Sequence, residues 1–483
     1  MRFASLSVFL VSLVFCSAST WGSPTYSIVV SKATQADADW KLVVDALVKK
    51  HVANIIIYEG DVTAALPHLK EQFPRFTCFV ATPTEATREF VGKVHRLTRQ
   101  LDSDPYTDTT WGILTGYDAA NALKIAMHAE PLTIHKVASG TELAMEMIEQ
   151  GKWYCELNKG KAVTKLPGEK AVETTGPQDS TKSLVESLTD YKADLFVTSG
   201  HATERNWQIG YSYRNGYFKS KAGQIWGEDM AGTKIPISSD NPKVYLPIGN
   251  CLMGHIDGLD AMALAWMNSA SVKQMVAYTV LTWYGYAGWG CLDYFVEQPG
   301  RYTFSEAFFA NQHAMIHRLE TYFPDNARDL LDANNRLTRR PVASPAATAA
   351  KLTAQDCYGL LYDRDTVAFY GDPAWQARMA TPKKGALAYE QTLTEKEGTF
   401  TLTITPNRSM DSFKPVNTNG AQRGYRPIVA MLPYRVKNIE VTQGSDLNPM
   451  IADDFILVPN PQTCDPERVY QVRFKASPIG AAK

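Results

Sequence analysis

Two nearly unbroken apolar runs do most to limit the folds open to this chain: Ala193-Asp-Leu-Phe-Val-Thr-Ser199 and Lys243-Val-Tyr-Leu-Pro-Ile-Gly249. A strand with one wet face alternates polar and apolar side chains. A strand without that alternation is covered on both faces, as in a parallel sheet between helical layers. Upstream, TYSIVV, ANIIIYE and FTCFVAT are short β-branched or aromatic runs that read as strands. Between them, WKLVVDALVKKH and VTAALPHLKEQF place apolar residues three and four apart and read as helices. Strands alternating with helices predict an α/β fold with a parallel sheet.

The rest of the chain extends this reading. SDPYTDTTWGILTG reads as a turn-rich loop, YDAANALKIAMHA and GTELAMEMIEQG as helices, and residues 161–185 as an exposed polar loop. DGLDAMALAWMNS reads as a helix, KQMVAYTVLTWY as a third strand of the second block, and RYTFSEAFFANQHAMIHRLETYF as a helix, before a turn at Gly371-Asp-Pro373. After about Gly385 the apolar period becomes two, in GTFTLTITPN, RPIVAMLPYRV, DFILVPN and VYQVRFKAS, which predicts a C-terminal antiparallel β-sandwich. The expected divisions are a signal peptide at 1–22, an N-terminal α/β subdomain at 23–165, a second α/β subdomain at 166–384 and the sandwich at 385–483.

Composition narrows the classes of function. With 49 basic and 50 acidic residues the formal net charge is −1, so no global field favours nucleic acid or an anionic membrane. The opening MRFASLSVFLVSLVFCSASTWGS has an early Arg2, a short apolar run and small residues after it. That is the pattern of a secretory signal, and the mature chain is expected to be exported. No later run is long enough to span a bilayer, so no membrane span is expected. The seven cysteines are scattered without a CxxC pair, which argues against a zinc ribbon and a disulfide framework. A monomer is expected.

The apolar runs stop at reactive side chains, His201 and Cys251. Ligands bind outside the carboxyl ends of strands in open parallel sheets. If the two strands are neighbours, imidazole and thiol share one rim. An imidazole that takes the thiol's proton makes a nucleophile of it. Gly200 and Gly249 allow tight turns off the strands. The backbone N–H groups of Ala202 and Cys251 form a candidate oxyanion hole. His255, four residues after Cys251, lacks enough further ligands nearby for a metal site, and none is predicted.

An apolar strand ending in His, with a second ending in a small residue plus Cys about 50 residues later, resembles the caspase-like cysteine peptidases. Within that group the chain is most similar to the gingipains. His201-Ala-Thr-Glu-Arg-Asn-Trp207 resembles their His-Gly-Ser-Glu-Thr-x-Trp motif, Ile248-Gly-Asn-Cys251 their cysteine strand, and Gly371-Asp-Pro373 the turn closing their catalytic domain. The resemblance implies a caspase-like parallel-sheet catalytic domain in two subdomains and an immunoglobulin-like C-terminal domain. It implies a cysteine endopeptidase with a Cys251–His201 dyad that acts on proteins or peptides. No organic cofactor is implied, and calcium is implied by family resemblance alone.

The chain departs from the family at Ala202, which stands where the family has Gly, and at Gln150, which stands where an orienting acid precedes a Lys-Trp pair. Glu149 and Glu204 are the remaining candidates for that acid. Trp283, Tyr284 and Trp289, in the stretch 282–290, are the candidate wall of the substrate pocket. Asp293 and Asp257 are candidate charges for a basic substrate side chain. Two other readings stay open: a binding protein that keeps the fold without turnover, and an acyl-transfer enzyme such as a transpeptidase on the same dyad.

Overall fold

The computed structural model describes residues 26–332, 336–383, 385–418 and 423–479. The expected signal segment, 1–22, lies outside the described residues.

A twelve-stranded mixed, mostly parallel sheet organises the fold. In chain order its strands are β1 (Tyr26–Ser31), β2 (Asn54–Tyr58), β3 (Phe76–Val80), β4 (Thr110–Leu114), β5 (Lys136–Ser139), β6 (Gln150–Tyr154), β7 (Lys161–Lys165), β8 (Val172–Thr175), β9 (Leu195–Thr198), β10 (Lys243–Pro247), β11 (Val272–Tyr278) and β12 (Val367–Gly371). In space the order is β2-β1-β3-β4-β12-β11-β10-β9-β5-β6-β7-β8. Every residue of β9 and β10 is buried, as their unbroken apolar character requires. The four strands β6, β5, β9 and β10 lie side by side and run parallel. Their carboxyl ends therefore share one rim.

Helices cover the sheet where the apolar spacing places them: α1 (Ala38–His51), α2 (Arg88–Leu97), α3 (Ala119–Met127), α4 (Thr181–Thr189), α5 (Met262–Ser269), α6 (Tyr286–Phe295), α7 (Phe304–Tyr322) and α8 (Ala354–Arg364). The 19-residue α7 opens on a capping box in which Thr303 and Glu306 each satisfy the other's backbone N–H.

Three stretches differ from the sequence expectation. Within the supposed loop SDPYTDTTWGILTG, Thr110–Leu114 is β4, four of its five residues buried in the middle of the sheet. Its turn residues precede the strand, and Trp111 and Gly112 carry it into the core. GTELAMEMIEQG forms only a short 3-10 turn at Met145–Met147, and Gln150 opens β6. Pairing beside β5 outweighs the helical propensity of that run. The supposed loop 161–185 holds β7, the exposed β8 and the start of α4. The crossover from β9 to β10 is not a simple helix. It carries its own four-stranded antiparallel sheet, Asn206–Gln208, Tyr217–Lys221, Gln224–Glu228 and Lys234–Ile237.

Beyond residue 385 the chain forms separate antiparallel sheets. One orders Tyr389–Lys396, Thr399–Pro406, Tyr470–Pro478 and Val436–Gln443, and the other Ile428–Met431, Phe455–Val458 and Met450–Ile451. Phe400, Leu402, Val472 and Phe474 of the first share an apolar core with Ile428, Ile456 and Val458 of the second. Val429, Phe455 and Leu457 instead join the core of the main sheet. His313 of α7 stacks on Phe455 with ring centroids 3.9 Å apart. Buried ion pairs close the same junction, where Asp293 of α6 meets Arg423 at 2.6 Å and Arg426 at 2.8 Å. No described helix is long and apolar enough to cross a membrane.

Candidate active site

β9 and β10 pair in register from Leu195 opposite Val244 to Thr198 opposite Pro247, and the Ile248 N–H extends the ladder to the Thr198 carbonyl at 2.9 Å. His201 follows β9 by three residues and Cys251 follows β10 by four. Adjacent strands lie about 4.8 Å apart, so the imidazole and the thiol emerge side by side from the carboxyl ends of two neighbouring strands. His201 is exposed and Cys251 half-buried; the other five described cysteines are all buried.

A single buried side chain fastens the two strand ends together. Asn250, next to the thiol, accepts a hydrogen bond from the Thr198 hydroxyl at 2.6 Å and donates one to the Gly200 carbonyl at 3.0 Å. Thr198 Oγ1 also meets the Tyr245 hydroxyl at 2.9 Å. The loop bearing Cys251 is thereby tied to the loop bearing His201 on both sides of Ser199.

Each loop has its own lock. Gly200 takes φ +96°, a backbone state that an L side chain rarely adopts, so the residue before His201 makes the turn. Ala202 has no positive φ and carries its Cβ without strain. Trp207 is fully buried, donates its indole N–H to the Ser199 carbonyl at 2.8 Å and bridges back to Ala202. Its ring leaves no room at Gly140, where a Cβ would stand 2.4 Å from Cη2. After the thiol, Leu252 takes φ +58° and donates its N–H to the Val280 carbonyl at 2.9 Å. The Thr282 N–H points at Cys251 Sγ from 3.2 Å, a polarity that suits a negative sulfur.

The N–H groups of Ala202 and Cys251 donate to nothing among the described residues. The bridge between Ala202 and Trp207 is closed instead by the N–H groups of Thr203 and Gln208. Two unspent donors, one on each loop, are what an oxyanion requires.

The candidate acids do not reach the imidazole. Glu149 is corrected outright. It precedes β6 as His135 precedes β5, and its carboxylate meets His135 Nδ1 at 2.6 Å. Those are the amino ends of parallel strands, so at least about 13 Å of strand separates Glu149 from the rim that bears His201. Glu204 lies in the histidine loop, but its carboxylate engages His255 Nδ1 at 3.1 Å, and its carbonyl accepts the Met262 N–H. This also accounts for His255 without a metal. In place of an acid, Tyr211 stacks on His201, with centroids 4.6 Å apart and planes 23° from parallel.

The aromatic candidates divide. Trp283 is 69% exposed beside Thr282, and Leu281 is exposed with it, so an apolar wall adjoins the thiol. Tyr284 is half-buried, its ring edge-on to Tyr358 and Tyr362. Its far side lines an open cavity of about 670 Å3 with Arg336, Arg340 and Tyr358. Trp289 is corrected. It lies within α6, only 6% exposed, under the Arg423 guanidinium, and cannot present its face to a substrate. Asp293 is likewise spent on Arg423 and Arg426, and Asp257 pairs with Arg205 at 2.6 Å.

Among the described residues one group of three acids could hold a cation: Asp102, Asp104 and Asp108, with carboxylate oxygens within 4.8 Å of one another. Burial, with Asp102 and Asp104 beside it, pushes the Asp108 carboxyl up to about 9. This cluster precedes β4 and shares no residue with the His201–Cys251 rim.

The sequence points to His201 and Cys251, brings in Trp207 only through the motif resemblance, and does not single out Asn250, Tyr211 or Thr282. Asn250 was legible as the polar residue closing a buried strand beside the thiol. Nothing in the sequence marks Tyr211. Together these features define a mixed α/β protein whose neighbouring strands present a thiol and an imidazole at one rim. Comparison with models of known families, with curated proteins and with solved structures finds no match.

Proposed function

We propose that the chain is a cysteine endopeptidase, with Cys251 as nucleophile and His201 as its base. The observation that carries this reading is the pinning of the two strand ends by Asn250, which holds a half-buried thiol and an exposed imidazole on adjacent loops. In the proposed cycle His201 takes the Cys251 proton, and the thiolate attacks the peptide carbonyl carbon. The Ala202 and Cys251 N–H groups receive the oxyanion. The tetrahedral intermediate collapses as the C–N bond breaks and the imidazolium returns its proton to the leaving amine. Water, deprotonated by His201, then hydrolyses the thioester and frees the carboxylic acid and the thiol. The exposed Trp283 and the partly buried Tyr284 offer the wall against which a substrate side chain would lie.

The gingipain resemblance fits the same assignment, and with it a caspase-like catalytic domain, an immunoglobulin-like C-terminal unit, export through the N-terminal segment and a monomeric state. The site residues themselves supply acid–base and nucleophilic groups without an organic cofactor, and calcium rests on the family resemblance alone.

The test is a peptide library with all residue classes at each position, incubated with the protein and with Cys251→Ser, and read by mass spectrometry. Hydrolysis products that vanish in the serine variant support the peptidase. Ligated products instead assign the site to acyl transfer. No products and no labelling of Cys251 by an electrophilic thiol probe at neutral pH leave a binding protein.

A further inference from the structure

We propose that the Tyr211 ring, not a carboxylate, is the group that orients His201, an inference that deepens the dyad assignment above. No acid contacts the imidazole among the described residues. Among the described residues the aromatic ring stacked on its face is Tyr211, which lies nearly flat against it at 4.6 Å.

An exposed stacked ring positions its neighbour only if it is itself fixed, and here the backbone fixes it. The Tyr211 and Ser212 N–H groups both donate to the Glu156 carbonyl, at 2.7 and 3.0 Å. The Tyr213 hydroxyl donates to the Cys155 carbonyl at 2.6 Å. Three hydrogen bonds thus fasten 211–213 to the residues that follow β6, two strands away from β9 in the same sheet. From the other side the chain meets Gly200: a Cβ built there would lie 3.8 Å from the Tyr211 side chain, so the ring rests on the turn that precedes the histidine. The carboxyl ends of β6, β9 and β10 together then set the platform, the base and the nucleophile.

The chemistry differs from that of an acid. A carboxylate fixes one ring nitrogen by a hydrogen bond and so selects a tautomer. A π face instead restricts the tilt of the ring and leaves both nitrogens free. It also attracts a cationic ring more than a neutral one. Tyr211 therefore favours the imidazolium partner of a thiolate while holding the ring upright for proton transfer. What matters is the aromatic face, and the hydroxyl is dispensable.

The experiment compares the full chain with Tyr211→Phe, Tyr211→Ala and Tyr213→Phe. Two readouts are needed. The first is the NMR chemical shift of the His201 Cε1 proton in histidine-labelled protein, assigned with His201→Asn. Stacking predicts a ring-current shift shared by the parent and Tyr211→Phe and lost in Tyr211→Ala. The second is the rate of Cys251 alkylation. Tyr211→Ala should alkylate about two- to fivefold more slowly than the parent at pH 6.5 and equally fast at pH 9.5, where a free thiol ionises unaided. Tyr211→Phe should keep the parent rate at both values, and Tyr213→Phe, which loosens the platform without removing it, should fall between. A His201 shift indifferent to Tyr211→Ala overturns the proposal, as does alkylation that falls equally in the phenylalanine and alanine variants. If the shift behaves as expected while Cys251 resists alkylation in every form, the stacking stands and the peptidase assignment fails.

Discussion

Replacing Asn250 tests whether the two halves of the site are held by one side chain. Asn250 is fully buried and makes two hydrogen bonds, at 2.6 and 3.0 Å. In Asn250→Ala the Thr198 hydroxyl keeps its contact with Tyr245, but the Gly200 carbonyl loses its side-chain partner. Two net bonds at about 1 kcal/mol each, plus the cost of one poorly satisfied buried acceptor, predict a loss of about 2–4 kcal/mol. Thr198→Val removes one of the same bonds and the Tyr245 contact as well, leaving Asn250 Oδ1 unpaired, for about 2–4 kcal/mol. Because the two variants delete a shared bond, the double variant should cost about 1 kcal/mol less than their sum. Urea denaturation followed by tryptophan fluorescence supplies the four free energies, and alkylation of Cys251 at neutral pH reports the geometry. Alkylation should slow in Asn250→Ala, because the thiol and imidazole loops are no longer tied. Additivity within about 0.5 kcal/mol, together with an unchanged alkylation rate, would refute the claim that Asn250 couples the strands.

Three further outcomes follow from the packing. His313 is 2% exposed against Phe455 and Tyr106, its Nδ1 has no partner, and burial alone pushes its imidazole down to about 3. Its contribution to stability is complete above the unfolded value near 6.5 and is lost as pH falls toward 3, which amounts to about 2 kcal/mol between pH 7.5 and 5; the free-energy difference between His313→Phe and the parent should change by that amount across this range, and a constant difference would exclude it. Gly140→Ala drives a Cβ to 2.4 Å from the buried Trp207 ring, which has nowhere to retreat; a loss of about 1–3 kcal/mol is expected by denaturation, with slower Cys251 alkylation because Trp207 holds Ser199. Trp283→Ala removes an exposed side chain and should leave stability within about 0.5 kcal/mol while lowering kcat/KM for any cleaved peptide; unchanged kcat/KM would remove Trp283 from the substrate wall.

The sequence shows the site more clearly than it shows the sheet around it. β9 and β10 were legible because burial on both faces leaves no alternation, and a reactive residue at the end of such a run must stand at the rim. β4 was not legible, because Thr110-Trp-Gly-Ile-Leu114 follows a string of turn residues and owes its strand to neighbours that come from distant parts of the chain. Residues 140–151 differ for the converse reason: Leu, Met and Glu favour a helix locally, and pairing with β5 prevails. The aromatic stretch 282–290 was half legible. Its aromatics read as a pocket wall, but Gly285 takes φ +79° and α6 begins at once, which carries Trp289 inward. Tyr211 is invisible in sequence because its place over His201 depends on hydrogen bonds to Cys155 and Glu156, more than fifty residues upstream.

The sheet inserted between β9 and β10 gives this site an unusual division of labour along the chain. The nucleophile and the base are joined covalently only through that insertion, yet they are joined sterically by the β9–β10 ladder and Asn250. Covalent continuity is therefore redundant for their alignment. A cut in the exposed turn Met230–Gly232, between the third and fourth inserted strands, would leave two fragments that each end in structure and still meet at the rim. On this geometry a chain severed between its two reactive residues would keep them together.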